Sequence, residues 1–172
     1  MNEVMENILT RRSVRALLEK EIPMEELEQI VKAGAYAPSA MNRQTWKFTV
    51  LTDREKIGKL AALMAEKLGR ADYNMYQPQV LIIPSNEKDY ALGKEDNACA
   101  LENIFLAAHS FGIGSVWINQ MRDVCDDEEI RALLTEWEIP ENHCVYGMAA
   151  LGYAAQEGKK DVQKKGEIHF VK

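Results

Sequence analysis

Three guanidiniums and a hydroxyl fall within five residues at Arg11, Arg12, Ser13, Val14 and Arg15. A second polar cluster follows at Ala37, Pro38, Ser39, Ala40, Met41, Asn42, Arg43, Gln44, Thr45 and Trp46. Arginine forks match the oxygens of a phosphate, and a serine hydroxyl adds a neutral donor. If the first segment is extended, alternation places Arg11, Ser13 and Arg15 on one side. In the second, Pro38 and Ser39 set a turn, Ala40 permits close backbone approach, and Asn42 and Gln44 each carry donor and acceptor groups. That chemistry suits the mixed polar edge of a flavin ring, where carbonyl and NH groups lie beside an apolar face. A plainer reading stands beside each cluster: a solvated basic turn for the first, and for the second a helix exit whose amides satisfy backbone groups.

Other chemistries find less support. No Gly-rich phosphate loop is present, and Gly112 and Gly114 lack the third glycine of a dinucleotide fingerprint. His109, His143 and His169 have no partner at metal-binding spacing, so no metal site is expected. Cys99, Cys125 and Cys144 are odd in number and widely spaced, which predicts free thiols that mostly serve packing. No Ser or Cys sits in a recognisable nucleophile motif. Groups able to bind a cofactor, without an evident acid, base or nucleophile, suit a protein whose cofactor carries the chemistry.

A chain of 172 residues with 28% charged and 47% apolar residues predicts one globular domain over residues 1–172. The formal net charge of −6 argues against a nucleic-acid partner, because such proteins rely on excess Lys and Arg. Met1 to Thr10 has neither the basic start nor the apolar run of a secretory signal. No stretch approaches the roughly 18 apolar residues needed to cross a bilayer. A soluble, cytoplasmic protein without a membrane partner is therefore expected.

The elements that must position the two clusters alternate between helix and strand. Val4, Met5, Ile8 and Leu9 make an amphipathic face on a helix from about Asn2 to Thr10. A second helix follows Pro23, with Leu27, Ile30, Val31 and Gly34 on one face, and Pro38 ends it. Trp46 to Leu51 reads as a strand, and Asp53 as the N-cap of a helix to about Leu68. Val80 to Ile83 is a strand buried on both faces, and a helix apolar on most sides runs from about Glu95 to Phe111. Ser115 to Ile118, Asp126 to Trp137 and Cys144 to Leu151 follow as strand, helix and strand. The tail from about residue 153 carries Lys159, Lys160, Lys164, Lys165 and Lys172 against Glu157, Asp161 and Glu167. It ends in Ile168, His169, Phe170 and Val171, which suit a short edge strand or a reach to a partner. The class is α+β, with helices on both faces of a sheet.

Taken in order, the Arg11 to Arg15 cluster, the Ala37 to Trp46 segment, the helix from Asn97 to Gly112 with Gly114 to Ile118, and Leu151, Gly152 and Tyr153 resemble the nitroreductase family of FMN-dependent oxidoreductases. The resemblance spans nearly the whole chain. It implies a central, mostly antiparallel sheet in an intertwined homodimer, with two FMN sites between subunits. It assigns Arg11, Arg12, Ser13 and Arg15 to the phosphate, ribityl chain and ring edge, assisted by Lys164 or Lys165. It draws Pro38, Ser39, Ala40, Asn42 and Gln44 from the other subunit. Trp117, Ile118 and Asn119 would line the ring, and Asn74 its pyrimidine edge. NADH or NADPH would donate electrons, and a small molecule such as a nitroaromatic or quinone would accept them. Reductive dehalogenation, oxygen-dependent flavin breakdown and noncatalytic flavin binding are the alternatives. Thr45 and Ala154 stand where the family commonly has proline, and no tail arginine occupies the phosphate position. The short stretch between the second strand and the long helix implies an open site.

Overall fold

In the computed structural model, which describes residues 1–156 and 162–172, side-chain alternation along one central strand divides the interior into two layers. Strand β2 (Val80–Glu87) directs Leu81 and Ile83 into one apolar cluster and Val80 and Ile82 into the other. It lies between β1 (Trp46–Leu51) and β5 (Met148–Gly152), and β3 (Gly114–Ile118) pairs with the far side of β5. Every pairing between these strands is antiparallel, which agrees with the expected sheet.

Helices α2 (Met24–Ala35) and α4 (Gly93–Ser110) cover the Ile82 face through Leu27, Ile30, Leu101 and Ile104. The opposite face is covered by α3 (Arg54–Lys67), α5 (Met121–Val124) and α6 (Glu128–Glu136), through Leu60, Met64, Met121 and Leu134. Burying a side chain of this size contributes about 1.5–3 kcal/mol, so alternation along β2 stabilises both layers at once. Asp53 caps α3 as expected, accepting from the N–H groups of Glu55 and Lys56.

Three expectations require correction. The predicted strand Cys144 to Leu151 is divided into β4 (His143–Cys144) and β5, both alongside β2. From Ile82 to Asn86, β2 advances four residues while its neighbour spans five, from Ala149 back to Cys144. One extra residue cannot be held in a regular ladder, and Pro84 at this point brings no N–H. The predicted helix Asp126 to Trp137 starts later, because Asp127 supplies the cap to Glu129 while Asp126 bonds Lys88 and Arg131. The tail residues 162–172 are exposed and form neither helix nor strand, which sets aside the edge strand and leaves the reach to a partner, while Glu157, Lys159, Lys160 and Asp161 lie outside the described residues.

Helix α1 (Glu3–Thr10) has an amphipathic face, but the described residues of its own chain do not cover it. Val4, Met5, Ile8 and Leu9 are all exposed, at 44–67% of their surface. The segment after α1 runs extended beside β3, where the Val14 N–H donates to the Ser115 carbonyl at 2.9 Å. Gly114 makes that approach possible, since a Cβ there would lie 2.9 Å from Val14 Cβ and 3.0 Å from the Gly152 oxygen. Gly114→Ala is therefore expected to destabilise the fold by about 1–3 kcal/mol through overpacking, as read by chemical denaturation. Wild-type stability in this variant would show that the Arg11 to Arg15 segment is not seated against β3.

Candidate functional site

The extended course of residues 11–15 presents Ser13 and Arg15 to solvent, while Val14 turns towards Gly114. Arg11 and Arg12 are half-buried and line a groove of about 580 Å³ with Thr10, His109, Gly112 and Ser115. The expected alternation thus holds for Ser13 and Arg15, whereas Arg12 has a structural task of its own. Its Nη1 donates to the Leu9 and Arg11 carbonyls, both at 2.7 Å, which satisfies acceptors at the α1 C-terminus. Arg11 Nε lies 3.9 Å from Glu102 Oε1 on α4.

Two further bonds pin α1 to the C-terminal half of α4. Asn7 Nδ2 donates to the Leu106 carbonyl at 2.9 Å, and Thr10 Oγ1 is 2.9 Å from His109 Nε2. Burial, followed by the charges of Arg11 and Arg12, lowers the His109 pKa below its ordinary 6.5. The groove is therefore electropositive where His109 senses it. A neutral folded His109 contributes stability that is present above about pH 6.5 and lost as pH falls through its lowered value, because the unfolded chain then takes up the proton more readily. A phosphate ester entering the groove offsets the guanidinium charges and should raise the His109 midpoint in an NMR titration. A midpoint indifferent to phosphate would place the anion elsewhere.

The second cluster is held at the other end of α4. Asp96, only 3% exposed, accepts from Ser39 Oγ at 2.7 Å and from the Ala40 N–H at 3.0 Å. Ser39 Oγ in turn accepts the Gln44 N–H, and Gln44 Nε2 donates to Asn42 Oδ1 at 2.7 Å. This anchoring supports an uncommon backbone, with Met41, Asn42 and Gln44 at φ of 55°, 54° and 50°. Left-handed non-glycine residues persist where surroundings over-determine them, and they concentrate at ligand-holding loops. Pro38, Asn42 and Gln44 remain exposed, and Ser39 and Ala40 are half-buried.

Asn74 leads into a second segment of this kind, since Met75, Tyr76 and Gln77 are also left-handed, at 51°, 65° and 49°. Asn74 Oδ1 accepts the Tyr76 N–H at 2.9 Å, and the Arg15 guanidinium lies 5.9 Å from the centre of the Tyr76 ring. Asn74 and Arg15 are thereby brought close. On the other side of Asn74 a larger cleft, about 740 Å³, is lined by small residues of α3 together with Arg70, Tyr73 and Gln77. Tyr73 bonds Gln120 at 3.2 Å, and burial raises its phenol pKa to about 12.

Trp117 is 37% exposed and lies against Gly147, where a Cβ would meet the indole nitrogen at 2.6 Å. Ile118 points into the core, leaving only its backbone for a ligand, while Asn119 is half-buried. Lys164 and Lys165 are exposed on the tail. One chain thus sets Arg11 and Arg12 at the C-terminal end of α4 and brings Arg15 to the segment that carries Asn74, but holds Ser39 to Gln44 at the other end of α4. Leu106 and His109 lie ten and thirteen residues along α4 from Asp96, or about 15–20 Å at the helical rise of 1.5 Å per residue. Asp96 and His109 are absent from the residues that the sequence nominates. A first-turn acid and a last-turn histidine are ordinary helix features, and only the tertiary contacts distinguish them.

The matches to known proteins agree with this architecture. The Nitroreductase family profile matches residues 8–80 and 66–153. An Archaeoglobus fulgidus protein with the provisional name NADH dehydrogenase/NAD(P)H nitroreductase is 36% identical over 162 residues, covering 91% of this chain and 88% of its own. The NADPH-flavin oxidoreductase of Vibrio harveyi is 29% identical, covering 99% of this chain and 73% of its own. A Bacteroides fragilis nitroreductase, whose crystal structure holds FMN, superposes with a TM-score of 0.94 at 43% identity over the whole of both chains. The matched span takes in the groove, the anchored loop and the helix that holds them apart, and on these grounds the chain belongs to the nitroreductase family.

Proposed function

We propose that this chain is an FMN-dependent oxidoreductase, passing electrons from NADH or NADPH through bound FMN to a small organic acceptor such as a nitroaromatic or quinone. It acts as an intertwined, cytoplasmic homodimer, each subunit folded as one unit over residues 1–172. The separation of two complementary half-sites along α4 carries the reading. One has guanidiniums suited to a phosphate; the other has amides suited to a polar ring edge. A two-fold pairing can bring one chain's cluster to the other chain's loop. The bare α1 face and the exposed Ile168, Phe170 and Val171 offer apolar surface for such pairing.

The residues fit FMN in kind. Arg11, Arg12, Ser13 and Arg15 hold the phosphate end, assisted by Lys164 or Lys165 of the tail. Ser39, Ala40, Asn42 and Gln44 of the second copy frame the ring, and Pro38 shapes their turn. Trp117, with the backbone of Ile118 and Asn119, lines the ring, and Asn74 meets its pyrimidine edge. When bound, FMN supplies the centre that takes a hydride from the nicotinamide and hands electrons onward. The chain's own part is binding, orientation and a positive field; no side chain is assigned as nucleophile, acid or base. Donor and acceptor use one opening in turn, which makes the kinetics ping-pong. The names of the Archaeoglobus and Vibrio relatives support the nicotinamide donor.

The direct test is a visible spectrum of the purified protein before and after anaerobic NADH and NADPH. The expected result is a flavin spectrum that one or both donors bleach and that a quinone restores. Protein that stays colourless after incubation with FMN would reject the reading, while bound flavin that neither donor bleaches would favour a noncatalytic flavin-binding role.

A further inference from the structure

Away from the proposed flavin site, two of the three cysteines meet. Cys125 is buried just beyond α5, and Cys144 is half-buried in β4. Their Sγ atoms are 3.4 Å apart, closer than two sulfurs in ordinary packing contact. The third cysteine, Cys99, is exposed on α4.

The segments that carry the pair are clamped together by Arg131. Its Nη2 donates to Asp126 Oδ1 at 2.7 Å and to the His143 carbonyl at 3.1 Å. Asp126 directly follows Cys125, and His143 directly precedes Cys144. Lys88 also bonds Asp126, and β4 pairs with the end of β2. The two thiols are therefore held facing each other by a frame that does not depend on either sulfur. Closing the gap to the disulfide length of about 2.05 Å takes a combined shift of about 1.4 Å.

We propose that Cys125 and Cys144 form a redox-active dithiol that small hydroperoxides oxidise to an intramolecular disulfide. Its electrostatics favour a reactive thiolate. Donation from the Cys144 S–H, aided by the Val145 N–H and the Arg131 charge, lowers the Cys125 pKa to about 6 against opposing burial. Cys144 retains its proton, with its pKa raised by that same bond and by burial. The Cys125 sulfur is therefore the thiolate that meets the oxidant, with the Cys144 thiol held beside it.

In the first step the Cys125 sulfur attacks one peroxide oxygen, the O–O bond breaks, and the alkoxide leaves as alcohol after taking the Cys144 proton. The resulting sulfenic acid on Cys125 is attacked by the Cys144 sulfur. The S–S bond forms, and the departing hydroxide takes up the remaining proton as water. Two thiols and one hydroperoxide thus yield one disulfide, one alcohol and one water, with two electrons passing from sulfur to oxygen. In a reducing compartment a thiol reductant returns the pair to its starting state.

The test uses full-length protein as isolated, reduced and freed of reductant, and exposed under argon to a small excess of hydrogen peroxide without nicotinamide. After quenching with N-ethylmaleimide in denaturant, intact mass spectrometry should show loss of two hydrogens and one alkylated cysteine in place of three. Peptide mapping should join Cys125 to Cys144, and dithiothreitol should restore three reactive thiols. Cys99→Ser should undergo the same loss of two hydrogens; Cys144→Ser should not. Three alkylatable thiols after peroxide, or a linkage that includes Cys99, would overturn the proposal. The mapping on the unsubstituted chain decides the matter even if Cys144→Ser fails to fold.

Discussion

Replacing Arg15 with alanine is expected to weaken FMN binding by about 1.5–3 kcal/mol, roughly a 10- to 150-fold rise in Kd, while the protein keeps its fold. The magnitude is that of one charge-assisted hydrogen bond. It should appear almost entirely in binding, because Arg15 is exposed and its guanidinium lies 5.9 Å from the centre of the Tyr76 ring, with no ion pair among the described residues. Arg12 behaves differently, since its guanidinium also satisfies carbonyls at the end of α1. Loss of Arg12 therefore combines a binding effect with a structural one. Fluorescence titration of apoprotein with FMN, paired with a denaturation curve for each variant, separates the two. An Arg15→Ala protein with wild-type FMN affinity would remove Arg15 from the site.

The second large effect is expected at Asp96, which touches no ligand in the proposed arrangement. Asp96→Ala leaves the Ser39 hydroxyl and the Ala40 N–H without their acceptor, at about 1–3 kcal/mol for each group that stays buried. The left-handed residues Met41, Asn42 and Gln44 then lose part of the framework that holds them. FMN affinity should fall at least as far as in Arg15→Ala, accompanied by a lower Tm. Asp96→Asn retains one acceptor oxygen and should recover part of both losses. If Asp96→Ala lowers the Tm but leaves FMN affinity untouched, the loop does not frame the flavin.

Local sequence signals foretold the layers well, because each rests on a short pattern. The run Val80 to Ile83 announces two buried faces, and Asp53 announces the start of α3, where its side chain accepts two backbone N–H groups. The errors arose where a tertiary partner decided between near-equal local choices. Asp126 and Asp127 are equivalent caps until Lys88 and Arg131 engage the first. Cys144 to Leu151 reads as one strand until pairing with β2 leaves one residue over.

The candidate site was legible in residue types and less so in placement. Arg11 to Arg15 and Asn42 with Gln44 stand out as a pair, because each alone has a plainer reading and the two together suit a phosphate and a polar ring edge. That Asp96 fixes one cluster and His109 borders the other depends on their positions along α4, which no local spacing reveals. The amphipathic pattern of α1 correctly predicts an apolar face, but periodicity cannot tell whether the cover comes from the same chain. Val4 and Leu9, 67% and 50% exposed, show that it does not come from the described residues of this one.

The central claim is that a second copy completes each site, and subunit complementation tests it most directly. One variant carries Arg11→Ala and Arg15→Ala, the other Asn42→Ala and Gln44→Ala, and each alone should bind little FMN. After the two are unfolded together and refolded, half of randomly paired dimers are mixed, and each mixed dimer has one intact site and one doubly altered site. FMN binding should return to about a quarter of the wild-type sites. No recovery in a mixture that refolds and pairs would contradict the account, since it would mean that one chain builds its flavin site alone.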